Sequence, residues 1–219
     1  MGTRPHPYRA LEIALVTGRR KKGKSRWFFV LVGLVIVALA GFFALPWLLI
    51  AQAELTHADV ILHLHMDAHA DADAYVAQLY KQGHAREIVC VSAQAACDVY
   101  PADDAARHLI ALGVPREDVS TLYLPIRDCD AEYVRQMVEY AQAQGWHSAL
   151  LVVNPIGSRS RRRLVRRYFG QVGMRAAVTY SPRDRQAFVH QWWRTHAPAQ
   201  RMIAAAMHSV LDWLYPQCR

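Results

Sequence analysis

Residues Glu87–Leu124 read EIVCVSAQAACDVYPADDAARHLIALGVPREDVSTLYL, and the fold class turns on them. Glu87–Ser92 is a nearly continuous apolar run, the signature of a strand buried on both faces. Asp103–Leu112 then follows the helical period, with Ala106, Leu109 and Ile110 turned inward and Gly113 and Pro115 as stop signals. Val119–Leu124 is again a strand. Strand, helix and strand in that order make one βαβ unit, and a βαβ unit requires a parallel sheet.

The same alternation continues on both sides. Upstream, Ala58–Leu64 reads as a strand and Asp71–Gln82 as a helix with Tyr75 and Leu79 on one face, ended by Gly83. Downstream come a helix at Ala131–Gln144 ended by Gly145, a strand at Ser148–Val153, a helix at Ser158–Phe169 and a strand at Ala176–Tyr180. The inward face of the Ser158–Phe169 helix carries Leu164, Val165, Tyr168 and Phe169. A tail of one or two helices, including Pro198–Leu214, closes the chain. Right-handed crossovers between about five mainly parallel strands predict a Rossmann-like three-layer α/β sandwich.

Ahead of this domain lies WFFVLVGLVIVALAGFFALPWLLIAQA, which carries no charged side chain. Roughly 20 apolar residues are what a bilayer core requires. Trp27 and Trp47 stand near its ends, where aromatic rings favour the headgroup level, and Pro46 falls in the last turn, where a kink costs least. Ala51-Gln52-Ala53 has the small-residue form of a cleavage site, yet the apolar stretch is longer and begins later than that of a signal peptide. The expected organisation is therefore residues 1–26 as a basic cytoplasmic N-terminus, 27–51 as one transmembrane helix, and 52–219 as an exported α/β domain.

The net charge of +8 comes from two blocks. Arg19, Arg20, Lys21, Lys22, Lys24 and Arg26 precede the apolar stretch, and Glu54 is the first charge beyond it. That asymmetry predicts the N-terminus inside and the C-terminus outside. Beside a span the basic block sets orientation, and no nucleic-acid partner is expected. Arg159, Arg161, Arg162, Arg163, Arg166 and Arg167 form the second block, on a predicted helix.

Ligands of open parallel sheets bind beyond the carboxyl ends of the strands. Here those ends lead into 65–73, 92–100, 127–132 and 154–163. Within them His65, Asp67, Ser92, Asn154, Ser158, Arg159 and Arg163 are the candidate ligand-binding residues. Arg159 lies in the first turn of its helix, where backbone N–H groups and the helix dipole already favour an anion. Its neighbours Arg163 and Arg167 share its face, which serves equally as a solvated or membrane-surface charge.

Asp103, Asp128 and Glu132 are candidates for acid–base work, or, like Asp130, for helix capping and dipole compensation. His63 and His65 share one face of a strand. With Asp67 and His69 they could form an N/O metal site, or simply be polar residues at a strand end before a capping loop. Trp192 and Trp193 read as packing for the tail. No cofactor can be read from the sequence.

The cysteines are Cys90, Cys97, Cys129 and Cys218, without zinc spacing. Cys90 falls in a buried strand. Cys97 and Cys129 follow neighbouring strands at the same sheet edge, so a Cys97–Cys129 disulfide is expected in an oxidising compartment.

The order of segments resembles the YdcF-like domain family of SanA- and ElyC-type bacterial envelope proteins. ADVILHL, REIVCVS, ARHLIALGVPREDV and GWHSALLVVNP followed by an arginine-rich helix carry the resemblance, from about Ala58 to about Tyr180. Members usually place glycines after the first strand, where this chain has His65-Met66-Asp67. The Thr- and Asn-rich turn of the family reads Arg127–Tyr133 here, with Glu132 keeping the pattern. Pro155 and Arg159 match the next turn, while its usual histidine position is Gly157.

The resemblance implies a bacterial inner-membrane protein acting in cell-envelope or surface-polysaccharide biogenesis on an anionic metabolite or lipid-linked glycan. The domain would bind that ligand. Alternatively it would be a hydrolase or transferase using Asp103, Asp128 or Glu132 with Arg159 as clamp, or a structural partner in a membrane synthase complex.

Overall fold

A computed structural model of the chain describes residues 23–64, 70–93, 101–125, 130–190 and 192–214. The chain divides into two compact units, Met1–Phe43 and Ala44–Arg219. Helix α1 (Gly23–Leu49) opens the described part. Its stretch Trp27–Leu49 is the one helix among the described residues long and apolar enough to cross a membrane. The last turn of α1, from Ala44, belongs to the second unit.

That unit alternates strands and helices: β1 (Val60–Leu64), α2 (Ala70–Lys81), β2 (Glu87–Ala93), α3 (Pro101–Ala111), β3 (Val119–Leu124), α4 (Asp130–Ala143), β4 (Ser148–Val152), α5 (Ser158–Gln171) and β5 (Arg175–Thr179). Two further helices complete it, α6 (Pro182–His190) and α7 (His196–Leu214). A single 3-10 turn, Arg116–Asp118, leads into β3. The expected α/β architecture is present, each strand within two residues of its reading.

The five strands form one parallel sheet in the order β3-β2-β1-β4-β5. The chain moves outward from β1 to β3 and then returns to the other side of β1. The order therefore reverses between β1 and β4, the kind of switch point at which such sheets open a crevice. His63 stands level with Cys90 on one side and Val152 on the other.

Each face of the sheet has its own core, as period-2 side chains on a doubly covered strand demand. Leu62, Val89, Val91 and Leu151 pack under α4 and α5 with Val134, Met137, Val165 and Phe169. Ile61, Ile88, Cys90 and Leu150 pack under α2 and α3 with Val76, Leu79, Ala105 and Leu109. Burial of one such leucine or isoleucine contributes about 1.5–3 kcal/mol. A third cluster joins Leu49 and Ile50, just where α1 ends, to Ile156, Tyr180, Phe188, Trp192 and Met202. Trp192 does pack the tail on the domain, being among the most buried large side chains.

The segment after α1 runs along the outer edge of β5. Glu54 N–H donates to the Val178 carbonyl at 3.0 Å, and the Tyr180 hydroxyl donates to the Ala51 carbonyl at 2.5 Å. An unpaired edge invites pairing with another chain, and this segment occupies one position of it, at Val178.

Candidate functional site

The carboxyl edge of the sheet is built from the turns that leave each strand. Beyond β4, the Asn154 side-chain oxygen accepts the Ile156 N–H at 2.9 Å, forming an Asx turn. Gly157 then takes φ +77°, in the left-handed region, and starts α5. A side chain there would strain the backbone, which fits glycine at this position.

Ser158, the first residue of α5, is fully buried, and its hydroxyl accepts the Ala51 N–H at 2.9 Å. Its partner is thus the chain's own backbone. One guanidinium nitrogen of Arg159 donates to the Trp47 carbonyl at 2.8 Å. That carbonyl is in the last turn of α1, where intrahelical partners run out.

The rest of the arginine block divides by position. Arg162 and Arg166 both donate to Glu54, Arg166 at 2.6 Å. Burial, then the neighbouring Arg166 charge, hold the Arg162 guanidinium below its ordinary value. Arg161 faces Asp130 at 3.7 Å. Arg167 lies over the Tyr168 ring at 5.7 Å, and Arg163 is exposed. The cluster that reads as one charged face is in large part a clasp on residues 47–54.

Of the acids, Asp103 sits in the first turn of α3 and accepts the Tyr123 hydroxyl. Glu132 sits in the first turn of α4 and accepts Arg135 at 2.8 Å and Gln136 at 3.3 Å. The two helices cover opposite faces of the sheet. Asp103 and Glu132 therefore stand on helices in different layers. His65, Asp67, His69, Cys97, Asp128 and Cys129 lie outside the described residues. Among the described residues no group of three or more histidines, cysteines or acids is arranged to hold a metal ion.

On the α2/α3 face the structure assembles a group that sequence reading missed. Asp73, only 4 % exposed, accepts the His63 Nε2–H on one oxygen at 2.7 Å and the His108 Nδ1–H on the other at 2.7 Å. His63 is 2 % exposed, while the His108 side chain is 40 % exposed. A buried carboxylate is costly unless paired and hydrogen-bonded, and two imidazoles meet that need. A proton on His108 Nδ1 leaves its Nε2 as the basic nitrogen.

Nearby, burial first, and then the carboxylates of Asp73 and Asp103, push the Cys90 thiol up to about 12. Cys90 is thus the buried, unreactive residue its strand position implies. The Ser92 hydroxyl, buried at the end of β2, finds no hydrogen-bond partner among the described residues. Only the His63 position carried a signal of polarity in an apolar strand. Asp73 and His108 are 10 and 35 residues from their partners, beyond any local motif.

No protein-family profile and no curated protein matches the chain.

Proposed function

We propose that this is a single-pass bacterial inner-membrane protein with a cytoplasmic N-terminus and an extracytoplasmic α/β unit. That unit acts in cell-envelope or surface-polysaccharide biogenesis by binding an anionic, phosphate-bearing, lipid-linked glycan at the carboxyl edge of its sheet. The charge asymmetry around the apolar helix supports the orientation. The resemblance to YdcF-like domains supports the envelope setting.

One observation carries the ligand class. Trp47 and Ala51 bond to Ser158, Arg159 and Tyr180, which follow the carboxyl ends of β4 and β5. The end of the apolar helix and the ligand edge of the sheet are therefore the same end of the α/β unit. A ligand held in a bilayer by an apolar tail presents its headgroup at that level. Arg163 is exposed on α5, and Arg159 commits one of its five N–H donors to Trp47, so both can meet phosphate.

The test is binding by the full chain in lipid nanodiscs. A polyprenyl-phosphate-linked sugar should bind about tenfold or more tighter than the same sugar phosphate without its tail. Arg163→Ala should weaken both. Equal affinities, or no binding of either, would sink the proposal.

A hydrolase or transferase reading is favoured by the His63–Asp73–His108 group. Asp73 orients a half-exposed imidazole in the way a general base or acid requires. Release of phosphate or headgroup in the same nanodiscs decides between the two. Turnover that falls in Asp73→Asn while ligand affinity is kept supports the enzyme, and binding without turnover supports the module.

A further inference from the structure

Helix α7 carries two apolar faces where its packing uses one. Met202 is fully buried in the third cluster, with Ala199, Ala205 and Ala206 packed against it. On the flank beside them Ile203, Met207 and Val210 are 50 %, 60 % and 56 % exposed. Their spacing of four and three residues makes them a single stripe along the helix.

The stripe is not isolated. From Ala44 onward, the exposed large apolar side chains among the described residues are Trp47, Leu48, Leu55, Tyr123, Val172, Trp193, Ile203, Met207 and Val210. Six of these nine lie either in the last turn of α1 or in 193–210. The two segments are joined by the same cluster, in which Leu49 and Ile50 meet Trp192 and Met202. A soluble surface scatters its apolar side chains, whereas a concentrated patch marks an interaction site.

We infer that α7 lies in the bilayer surface, as an interfacial amphipathic helix beside the point where the chain leaves the membrane. This rests on the reading of Trp27–Leu49 as a span. Continuity names the occupant: Met202 of α7 shares one buried cluster with Leu49 and Ile50, the residues at the end of the apolar stretch. Trp47, 62 % exposed, and Trp193, 41 % exposed, suit the headgroup level. Charge agrees, since residues 182–214 hold Arg183, Arg185, Arg194 and Arg201 against Asp184 and Asp212. Such a surface favours anionic lipid.

The experiment places benzoylphenylalanine singly at Met207, at Ile36 and at Glu139 in the full chain. Each protein is reconstituted into phosphatidylcholine vesicles containing phosphatidylglycerol, irradiated, and analysed for lipid adducts. Ile36 lies within the apolar stretch, and Glu139 is exposed on α4. The expected result is adduct at Met207 about tenfold or more above Glu139, as for an apolar face immersed at the headgroup boundary. Adduct at Ile36 with only the Glu139 background at Met207 overturns the docking of α7 and leaves the span standing. Background at both Ile36 and Met207 overturns the span, and the inference falls with it.

Discussion

Two charged regions of this molecule behave in opposite ways. The arginines of α5 are many, adjacent in sequence and partly exposed, and several serve to hold residues 47–54 against the α/β unit. Asp73 is one carboxylate, buried, with its histidine partners on a strand and on another helix. Charge density along a chain is therefore a poor guide to where charge matters most. A solvated cluster can share and lose partners at little cost, whereas a buried charge depends on each one.

The largest effect should come from Asp73→Ala. It leaves two imidazoles, one of them buried, without their common acceptor, and loss of one partner from a buried pair costs about 3–5 kcal/mol. Chemical denaturation of the full chain in detergent measures it. His108→Ala should cost clearly less, because its side chain is 40 % exposed. Equal losses would mean that the group is no buried-charge assembly.

Glu54→Ala comes next. It removes the shared acceptor of Arg162 and Arg166, whose pairs with Glu54 are three-quarters buried on the carboxylate side. A loss of about 1 kcal/mol is expected, and it should shrink at high salt. Arg163→Ala, on the exposed face, should stay within about 0.5 kcal/mol. Thermal shifts of the two variants across a salt series test the contrast. A larger loss for Arg163 would erase the distinction between clasp and free face.

The smallest effect concerns Asp59, which joins the starts of β1 and β4. Its carboxylate accepts the His147 N–H at 2.7 Å and the Ser148 N–H at 2.8 Å. The bond from the His147 backbone, opposed by burial and helped by Ser148, holds Asp59 below its ordinary value of 3.8. A lowered carboxylate stabilises the fold above its unfolded value, and that contribution fades as pH falls through the folded one. Asp59→Asn should therefore be less stable than the parent at neutral pH, with the gap closing below 3.8. A gap that persists unchanged in acid would show that the hydrogen bonds act without the charge.

The fold was legible because each strand is a dense apolar run and each helix stops at a glycine or a proline. Gly83, Gly113 and Gly145 all hold positive φ at the turns where the sequence reading ended its helices. Ala58 and Asp59 precede β1, with their N–H groups donating to the carbonyl of His84, between α2 and β2, and to that of Ser148, the first residue of β4. The site was far less legible. Ser158 and Arg159 were readable as the first turn of a helix that follows a strand, but not the backbone of Trp47 and Ala51 that engages them. Spacing along a chain cannot reveal a partner more than 100 residues away.

That long-range engagement bears on how the α/β unit can be cut free. A fragment beginning at Gln52 would strip Ser158 and Tyr180 of their Ala51 partner and take Leu49 and Ile50 out of the cluster around Trp192 and Met202. Starting later still, past Glu54, would also bare the rim of β5 and release both arginines from their carboxylate. Such trimmed proteins would be sticky, and their self-association would be a scar of the scissors rather than a habit of the native molecule. Expression designs should keep Ala44 as the first residue of the unit, even at the cost of a few greasy side chains.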